Sequence, residues 1–354
     1  MRPDHIGDVL LSSAAVQLIR DALPAAHLTY LVGPWAAEAA RRGPAVNEVR
    51  TLRFPGFSRA AIKNVLQPYA LLARWAVALR RERYDLAVVL RPDHWWGALL
   101  ALAAGVPLRV GGLTQETQPL LSHAREAGPN EHWAEQALGI ARLALSASRV
   151  QPSDGVQPSD TAEHQVVFRL SDEARAEAAA WWQANALNGK RVVAIHPNAG
   201  AELKSWPADR WAALGAGLEA QVLLSGAPGD EDLLQCIQQH LGTRAVVACG
   251  QRLEVSAALF ERCALVIAPD SGAAHLAGAV GTPTVRLYGP ASAQVFGPWP
   301  PRSDQVVLTA NSLACVPCGH MARPPCGAER QPACMLALGV DEVIGAAKHL
   351  LGEG

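Results

Sequence analysis

The residues with the most evident chemical purpose lie in the second half of the chain. Ala268-Pro-Asp-Ser-Gly-Ala-Ala-His275 follows an apolar run, ALVIA, and leads directly into a stretch of small residues. Such a segment predicts a buried strand turning into a helix, whose first amides lack internal partners and whose dipole attracts an anion. Gly272 lets a phosphate approach the backbone and Ser271 adds a hydroxyl. His275, four residues after Ser271, shares its helical face and leans back toward the helix start. A purely structural arrangement fits the same residues, with Asp270 or Ser271 capping the helix and His275 packed beneath it.

A second segment, His196-Pro-Asn-Ala-Gly-Ala-Glu-Leu-Lys-Ser-Trp-Pro207, places Lys204 in a loop ahead of a helix opened by Pro207. With Gly200 its only glycine it is not a P-loop, yet a lysine beyond a strand's carboxyl end holds a phosphate as a point charge. An ordinary exposed lysine is the alternative. Near the start, Asp8 of Ile6-Gly-Asp precedes the first helix, either as its cap or as a carboxylate able to accept a proton. Four of the seven cysteines form Cys315-x2-Cys318-x7-Cys326-x7-Cys334, with His320 among them. One close pair and two further thiols suit a tetrahedral structural zinc, with disulfides or free thiols as alternatives. Two look-alikes are set aside: Gly215-Ala-Gly217 falls inside a helix rather than after a strand, and Asp230-Glu231-Asp232 opens a helix where acids are expected in any case.

The elements that position these residues alternate between strand and helix. The patterning predicts strands at His27–Val32, Asn47–Phe54, Tyr84–Leu90 and Pro107–Gly111. Helices are predicted at Asp8–Ile19, Ser58–Arg83 with a break near Pro68, Asp93–Ala104 and Glu131–Ser146. The pattern stops where Val150–Asp154 repeats as Val156–Asp160, a Pro-, Ser- and Asp-rich linker. It then resumes through strands at Gln165–Leu170, Arg191–His196, Gln221–Ser225, Ala245–Ala248, Ala264–Ala268 and Thr282–Tyr288. Helices between them are Asp172–Leu187 with Ser171 as cap, Pro207–Ala220, Gly229–Leu241, Glu254–Cys263 and Gly272–Val280, and Val340–Leu351 closes the chain. The order implies parallel α/β architecture in two units, 1–149 and 165–339, joined by 150–164 and followed by the helix in 340–354. Met1–Gly7 is too short and too polar for the strand that opens a doubly wound unit, so the first strand is expected to be missing and the reading frame to begin upstream.

The chain has 354 residues, half of them hydrophobic, 18% charged, with a formal charge of −1. That balance excludes disorder and coiled coil, and it argues against nucleic acid as a partner because phosphate binding leaves a basic excess. With no leader and no run of about 18 apolar residues, the expectation is a soluble cytoplasmic protein.

Taken in order, Ile6-Gly-Asp-Val-Leu-Leu, Leu31-Val-Gly-Pro-Trp, His196-Pro-Asn-Ala-Gly-Ala, Leu203-Lys-Ser-Trp-Pro, Ser225-Gly-Ala-Pro-Gly, Pro269-Asp-Ser-Gly-Ala-Ala-His-Leu-Ala and Leu287-Tyr-Gly-Pro with Gly297-Pro-Trp resemble the family 9 glycosyltransferases. The best-known members of that family are ADP-heptose:lipopolysaccharide heptosyltransferases. The resemblance implies a GT-B architecture of two Rossmann-like domains facing across a cleft, with the last helix packing back on the first. It implies metal-independent, inverting transfer of a heptose from an ADP-sugar to a lipid-linked core sugar. Peripheral contact with the inner membrane is expected with such an acceptor, and the structural zinc read from the cysteine spacing is the one candidate metal. Asp8 aligns with the general base and Lys204 with the lysine that holds the donor phosphates. Asn198, Asp270, Ser271, Gly272 and His275 fall to donor binding, and Asp230 or Glu231 to the ribose hydroxyls. Arg53, Arg59, Arg91, His94 and Trp95 are candidate acceptor contacts. A nucleotide-sugar epimerase of the same fold, or a non-catalytic nucleotide-sugar-binding protein, would share much of this pattern.

Overall fold

The computed structural model describes residues 1–57, 64, 66–148 and 165–353. The chain forms two compact units, Met1–Val167 and Phe168–Gly354. The expected linker, 150–164, lies outside the described residues, as do Ser58–Lys63 of the expected long helix.

In the first unit β1 (Thr29–Val32) pairs in parallel with β2 (Glu48–Thr51), and β3 (Leu86–Val89), β4 (Leu108–Gly112) and β5 (His123–Arg125) form a second parallel set. Met1 and Arg2 lie between β1 and β3. Arg2 bridges Val32 and donates its amide to the Leu31 carbonyl at 3.0 Å, while Leu90 donates to the Met1 carbonyl at 3.0 Å. The expected missing strand is therefore a two-residue segment that still bonds on both sides, giving the order β2-β1-segment-β3-β4-β5. The first helix is two, α1 (Ile6–Leu11) and α2 (Ser13–Ala22), rather than the single helix predicted. Ser12 divides them, its hydroxyl donating to the Val9 carbonyl at 3.0 Å and meeting Tyr30 Oη at 2.9 Å. Four more helices follow: α3 (Ala37–Arg42), α4 (Gln67–Glu82), α5 (Trp95–Ala103) and α6 (Trp133–Ala147). Pro68 does not break α4 but sits in its first turn, where a missing N–H costs nothing.

The second unit carries one six-stranded parallel sheet: β6 (Val192–Ile195), β7 (Gln221–Gly226), β8 (Ala245–Cys249), β9 (Leu265–Pro269), β10 (Thr284–Tyr288) and β11 (Gln305–Thr309). Their spatial order is β11-β10-β9-β6-β7-β8, so the direction of winding reverses between β6 and β9. Its helices are α7 (Asp172–Ala184), α8 (Ala208–Gly217), α9 (Glu231–Leu241), α10 (Leu253–Glu261), α11 (Gly272–Ala279), α12 (Ala293–Phe296), α13 (Ala333–Leu336) and α14 (Val340–Leu351). β6, β9 and β10 are buried along their whole length, which is why β6 and β9 read as continuous apolar runs, whereas β10 carries a buried arginine at its centre. Ser171 caps α7 as expected, accepting from the Ala174 amide at 3.2 Å. Gln165–Leu170 is not a strand: Val167 donates its amide to the Ser13 hydroxyl at 2.8 Å instead of joining a sheet edge.

The last helix was expected to pack on the first domain. Its buried face, Val343 and Ala347, instead joins the core of the second unit, against α8 and the sheet. Gly217 permits this approach, since a Cβ there would lie 2.3 Å from Ile344 Cδ1. That packing explains the Gly-Ala-Gly triplet without a nucleotide.

Trp211 fills the centre of this core, fully buried, and its ring meets Trp206 edge-on at 5.0 Å. Its indole N–H is buried without a hydrogen-bond partner. Trp211→Ala should lower stability by about 3–5 kcal/mol. Trp211→Phe should cost a minor part of that, because the N–H contributes nothing. Urea unfolding followed by circular dichroism measures both, and equal losses for the two variants would contradict this account.

Candidate functional site

Where the winding reverses in an open parallel sheet, neighbouring loops diverge and leave a crevice beyond the strands' carboxyl ends. In the second unit the loops concerned follow β6 and β9, and they carry the two sequence segments singled out above. They meet through one ion pair, Lys204 Nζ to Asp270 Oδ2 at 2.6 Å. Lys204 ends a 3₁₀ turn, Glu202–Lys204. Leu203 is buried on one side of it, and on the other Trp206 is buried and donates its indole N–H to the Leu338 carbonyl at 3.2 Å. Arg210 donates to the carbonyls of Leu336 and Leu338 at 2.6 and 3.0 Å. The backbone around Lys204 is thus fixed by packing, and its ammonium is delivered to the loop after β9.

Asp270 is 6% exposed. Ser271 follows in extended conformation and caps α11, its hydroxyl accepting from the Ala274 amide at 3.4 Å. The amides of Gly272 and Ala273 head this eight-residue helix. His275 is also buried, with Nε2 4.0 Å from Asp270 Oδ1. Lys204 and His275 therefore flank the two oxygens of one carboxylate. As an acceptor-only group Asp270 is not itself a phosphate ligand; it aims Lys204 and can accept from hydroxyls.

The remaining candidate residues of these loops divide by burial. Asn198, beyond β6, donates to Asp230 Oδ1, and the Ala227 amide donates to Asp230 Oδ2 at 2.8 Å. Asp230 is buried and committed to bracing the loops after β6 and β7. Glu231 is exposed, its carboxylate accepting from the Gly229 amide at 2.8 Å, and these backbone bonds hold it below the usual carboxylate range. Of the two acids, Glu231 is the one with an accessible carboxylate. His196 meets Ser225 Oγ at 3.0 Å, and burial pushes its imidazole down to about 4, so it is neutral near pH 7.

In the first unit Asp8 sits in α1 and accepts the His5 amide at 3.3 Å, so the capping role is real. It also belongs to a charged network that sequence reasoning missed. Arg2, fully buried, reaches Asp4 at 2.9 Å and Asp8 at 3.5 Å, donates to the Leu90 carbonyl at 2.7 Å, and lies 4.7 Å from the Trp133 ring centre. Burial raises the Asp8 pKa above its ordinary value; Arg2 acts in the opposite direction, and Asp4 adds to the rise. A charged triplet immediately before a helix, Arg2-Pro-Asp4, was the available signal.

The acceptor candidates fare unevenly. Arg91 pairs with Asp4 and, at 2.6 Å, with Asp93. His94 is a core residue: it is 3% exposed, its ring lies edge-on to Phe54 and Phe57, and burial pushes it down to about 3. Neither of its ring nitrogens has a hydrogen-bond partner, so the structure does not place it as a contact residue. Arg53 and Trp95 are exposed, whereas Arg59 lies outside the described residues.

Cys315, Cys318, Cys326 and Cys334 are all free thiols. They line one cavity of about 30 Å³ together with Leu203, the residue before Lys204, and Pro290. Among the described residues no three His, Cys, Asp or Glu side chains are grouped to hold a metal ion.

Comparison with known proteins places this geometry. The chain is 27% identical over 307 residues, 82% of each chain, to a lipopolysaccharide heptosyltransferase 2 from Salmonella typhimurium. Its fold matches that of a family 9 glycosyl transferase from Veillonella parvula, with a TM-score of 0.77 at 23% identity over 99% of this chain and 96% of that one. It also matches the Escherichia coli ADP-heptose lps heptosyltransferase II, with a TM-score of 0.74 at 21% identity, covering 99% and 97%. Both units are Rossmann-like α/β, the GT-B class of fold. The family model for glycosyltransferase family 9 (heptosyltransferase) matches residues 72–324, and the chain belongs to that family.

Proposed function

We propose that this glycosyltransferase moves a heptose or related sugar from an ADP-sugar to a lipid-linked core oligosaccharide, with inversion and without a catalytic metal. The observation that carries this reading is the Lys204–Asp270 pair at the head of α11. An ammonium and a helix N-terminus there supply the positive groups that a diphosphate leaving group requires. Relatives named as lipopolysaccharide heptosyltransferases support the sugar, and the Escherichia coli protein named for ADP-heptose supports the nucleotide. Glu231 is the residue suited to the ribose hydroxyls, and Asp270 to hydroxyls of the sugar. No helix among the described residues is long and apolar enough to cross a membrane. The lipid-linked acceptor would be met by peripheral contact with the inner membrane.

In the proposed step an acceptor oxygen forms its bond to the anomeric carbon as the bond from that carbon to the diphosphate oxygen breaks. The departing ADP keeps the electron pair, and Asp8 takes the hydroxyl proton. Lys204 and the amides of Gly272 and Ala273 stabilise the charge arriving on the phosphate. Each such donor is worth about 10²–10³ in rate. With a cationic side chain and a helix dipole in place, a divalent ion is not required.

Three outcomes test this. Calorimetry should show ADP binding, with UDP and GDP weaker, and Lys204→Ala should weaken ADP at least about tenfold. If no nucleotide binds, the reading fails.

Asp8→Asn should leave ADP affinity within about twofold but lower kcat by about 10²–10⁴, assayed in EDTA. Because the raised Asp8 pKa governs the base form, wild-type activity should be present above that pKa. It should fall as pH drops through it, at a pH above the ordinary value of about 3.9. An acid limb that survives Asp8→Asn would remove Asp8 from the role.

For the cysteine loop, the zinc reading expects one zinc per chain in protein purified without chelator. A metal-free chain whose four loop thiols all react with a thiol reagent rejects it.

A further inference from the structure

Arg286 is the middle residue of β10, the single charged side chain in the run Thr-Val-Arg-Leu-Tyr, and it is 1% exposed. Among the described residues no carboxylate lies within 4 Å of it, so it is not the buried half of an ion pair. Its guanidinium is instead fixed by neutral acceptors: Nη2 donates to Gln305 Oε1 at 2.6 Å and Nε to Thr284 Oγ1 at 3.1 Å. Nη1 meets His275 Nδ1 at 3.3 Å, and Tyr288 and, farther off, Asp270 also act on the charge. Gly278 of α11 makes room for the group, since a Cβ there would lie 2.6 Å from Nη2 and 3.0 Å from Gln305 Oε1.

A guanidinium in a protein has five N–H donors and no acceptor. The imidazole nitrogen facing it must therefore offer its lone pair, because a proton on Nδ1 would point at another N–H. A neutral imidazole with Nδ1 as acceptor carries its hydrogen on Nε2. Nε2 is the nitrogen on the Asp270 side, 4.0 Å from Oδ1, where Lys204 also points. With the other tautomer a bare lone pair would face both that carboxylate and any phosphate oxygen brought to Lys204, and both contacts would be repulsive.

We propose that Arg286 is a positioning residue that locks His275 in its Nε2–H tautomer, so that α11 presents a neutral N–H donor to the donor's diphosphate from beneath. This rests on the reading of the Asp270–His275 loop as the diphosphate site. Arg286 touches no substrate; it acts through the ring.

The test is long-range ¹H–¹⁵N correlation NMR of the imidazoles in the full-length ¹⁵N-labelled protein at pH 7.5, with His275 assigned by the loss of its signals in His275→Gln. The wild type should show a protonated Nε2 and an unprotonated Nδ1. In Arg286→Met, which keeps length and removes the donors, the ring should lose that single tautomer and ADP affinity should fall about tenfold, while Arg286→Lys should retain both. Gly278→Ala is the second variant, displacing the guanidinium without deleting it, and should behave like Arg286→Met. A His275 proton on Nδ1 in the wild type overturns the proposal whether or not any variant folds. So does an unchanged Nε2–H tautomer in folded Arg286→Met and Gly278→Ala. If wild-type ADP binding is absent while the tautomer follows Arg286, the diphosphate reading is what has failed, and the donor role assigned to the N–H falls with it.

Discussion

The pairing of Lys204 with Asp270 is the interaction on which the candidate site depends. A carboxylate with so little exposure is expensive to leave alone in the protein interior, by several kcal/mol, and a single ammonium at 2.6 Å offsets that cost. The two residues come from loops after β6 and β9, the strands between which the sheet's winding reverses. Those loops diverge by construction, and the ion pair draws their ends together. Remove either partner and the other is left as an uncompensated charge beside the head of α11, so position and electrostatics fail jointly.

Charge is distributed unequally around this pair. Lys204 and Asp270 pair, while Arg286 adds a positive charge behind His275 that, among the described residues, has no carboxylate within 4 Å. Burial disfavours that charge, lowering the Arg286 pKa from its ordinary value, yet guanidinium basicity keeps it protonated. The first unit uses the opposite arrangement: one buried guanidinium, Arg2, serves two carboxylates, Asp4 and Asp8. At Asp8 burial outweighs the lowering effect of Arg2 and Arg91, so its pKa lies above the ordinary carboxylate value.

Much of the second unit was legible in the sequence because its strands are covered on both faces and its helices carry ordinary start signals. Ser171 before two acids gave α7, and the ALVIA run followed by Asp-Ser-Gly gave β9 and α11. What escaped was short or polar. β5 has three residues and no apolar run, and β11 was passed over in a Pro-rich stretch. Gln165–Leu170 has the apolar content of a strand but joins none of the sheets. Ser12 divides the first helix because its hydroxyl returns to the Val9 carbonyl, a local competition invisible to hydrophobic periodicity. His94 was taken for a contact residue on its type and neighbours, whereas two phenylalanine rings enclose it.

By itself the amino-acid sequence determined the parallel α/β class and the two units, and marked the segments around Lys204 and Asp270, since apolar runs and small residues at a helix start are local properties. The tertiary structure alone decided which acid is committed and which is free, that Asp230 braces a loop while Glu231 faces solvent. It alone revealed the partners that tune the chemistry: Arg2 for Asp8, and Arg286 for His275. Those assignments depend on burial and on which side chains the fold turns toward one another, and neither is set by residue type and spacing alone.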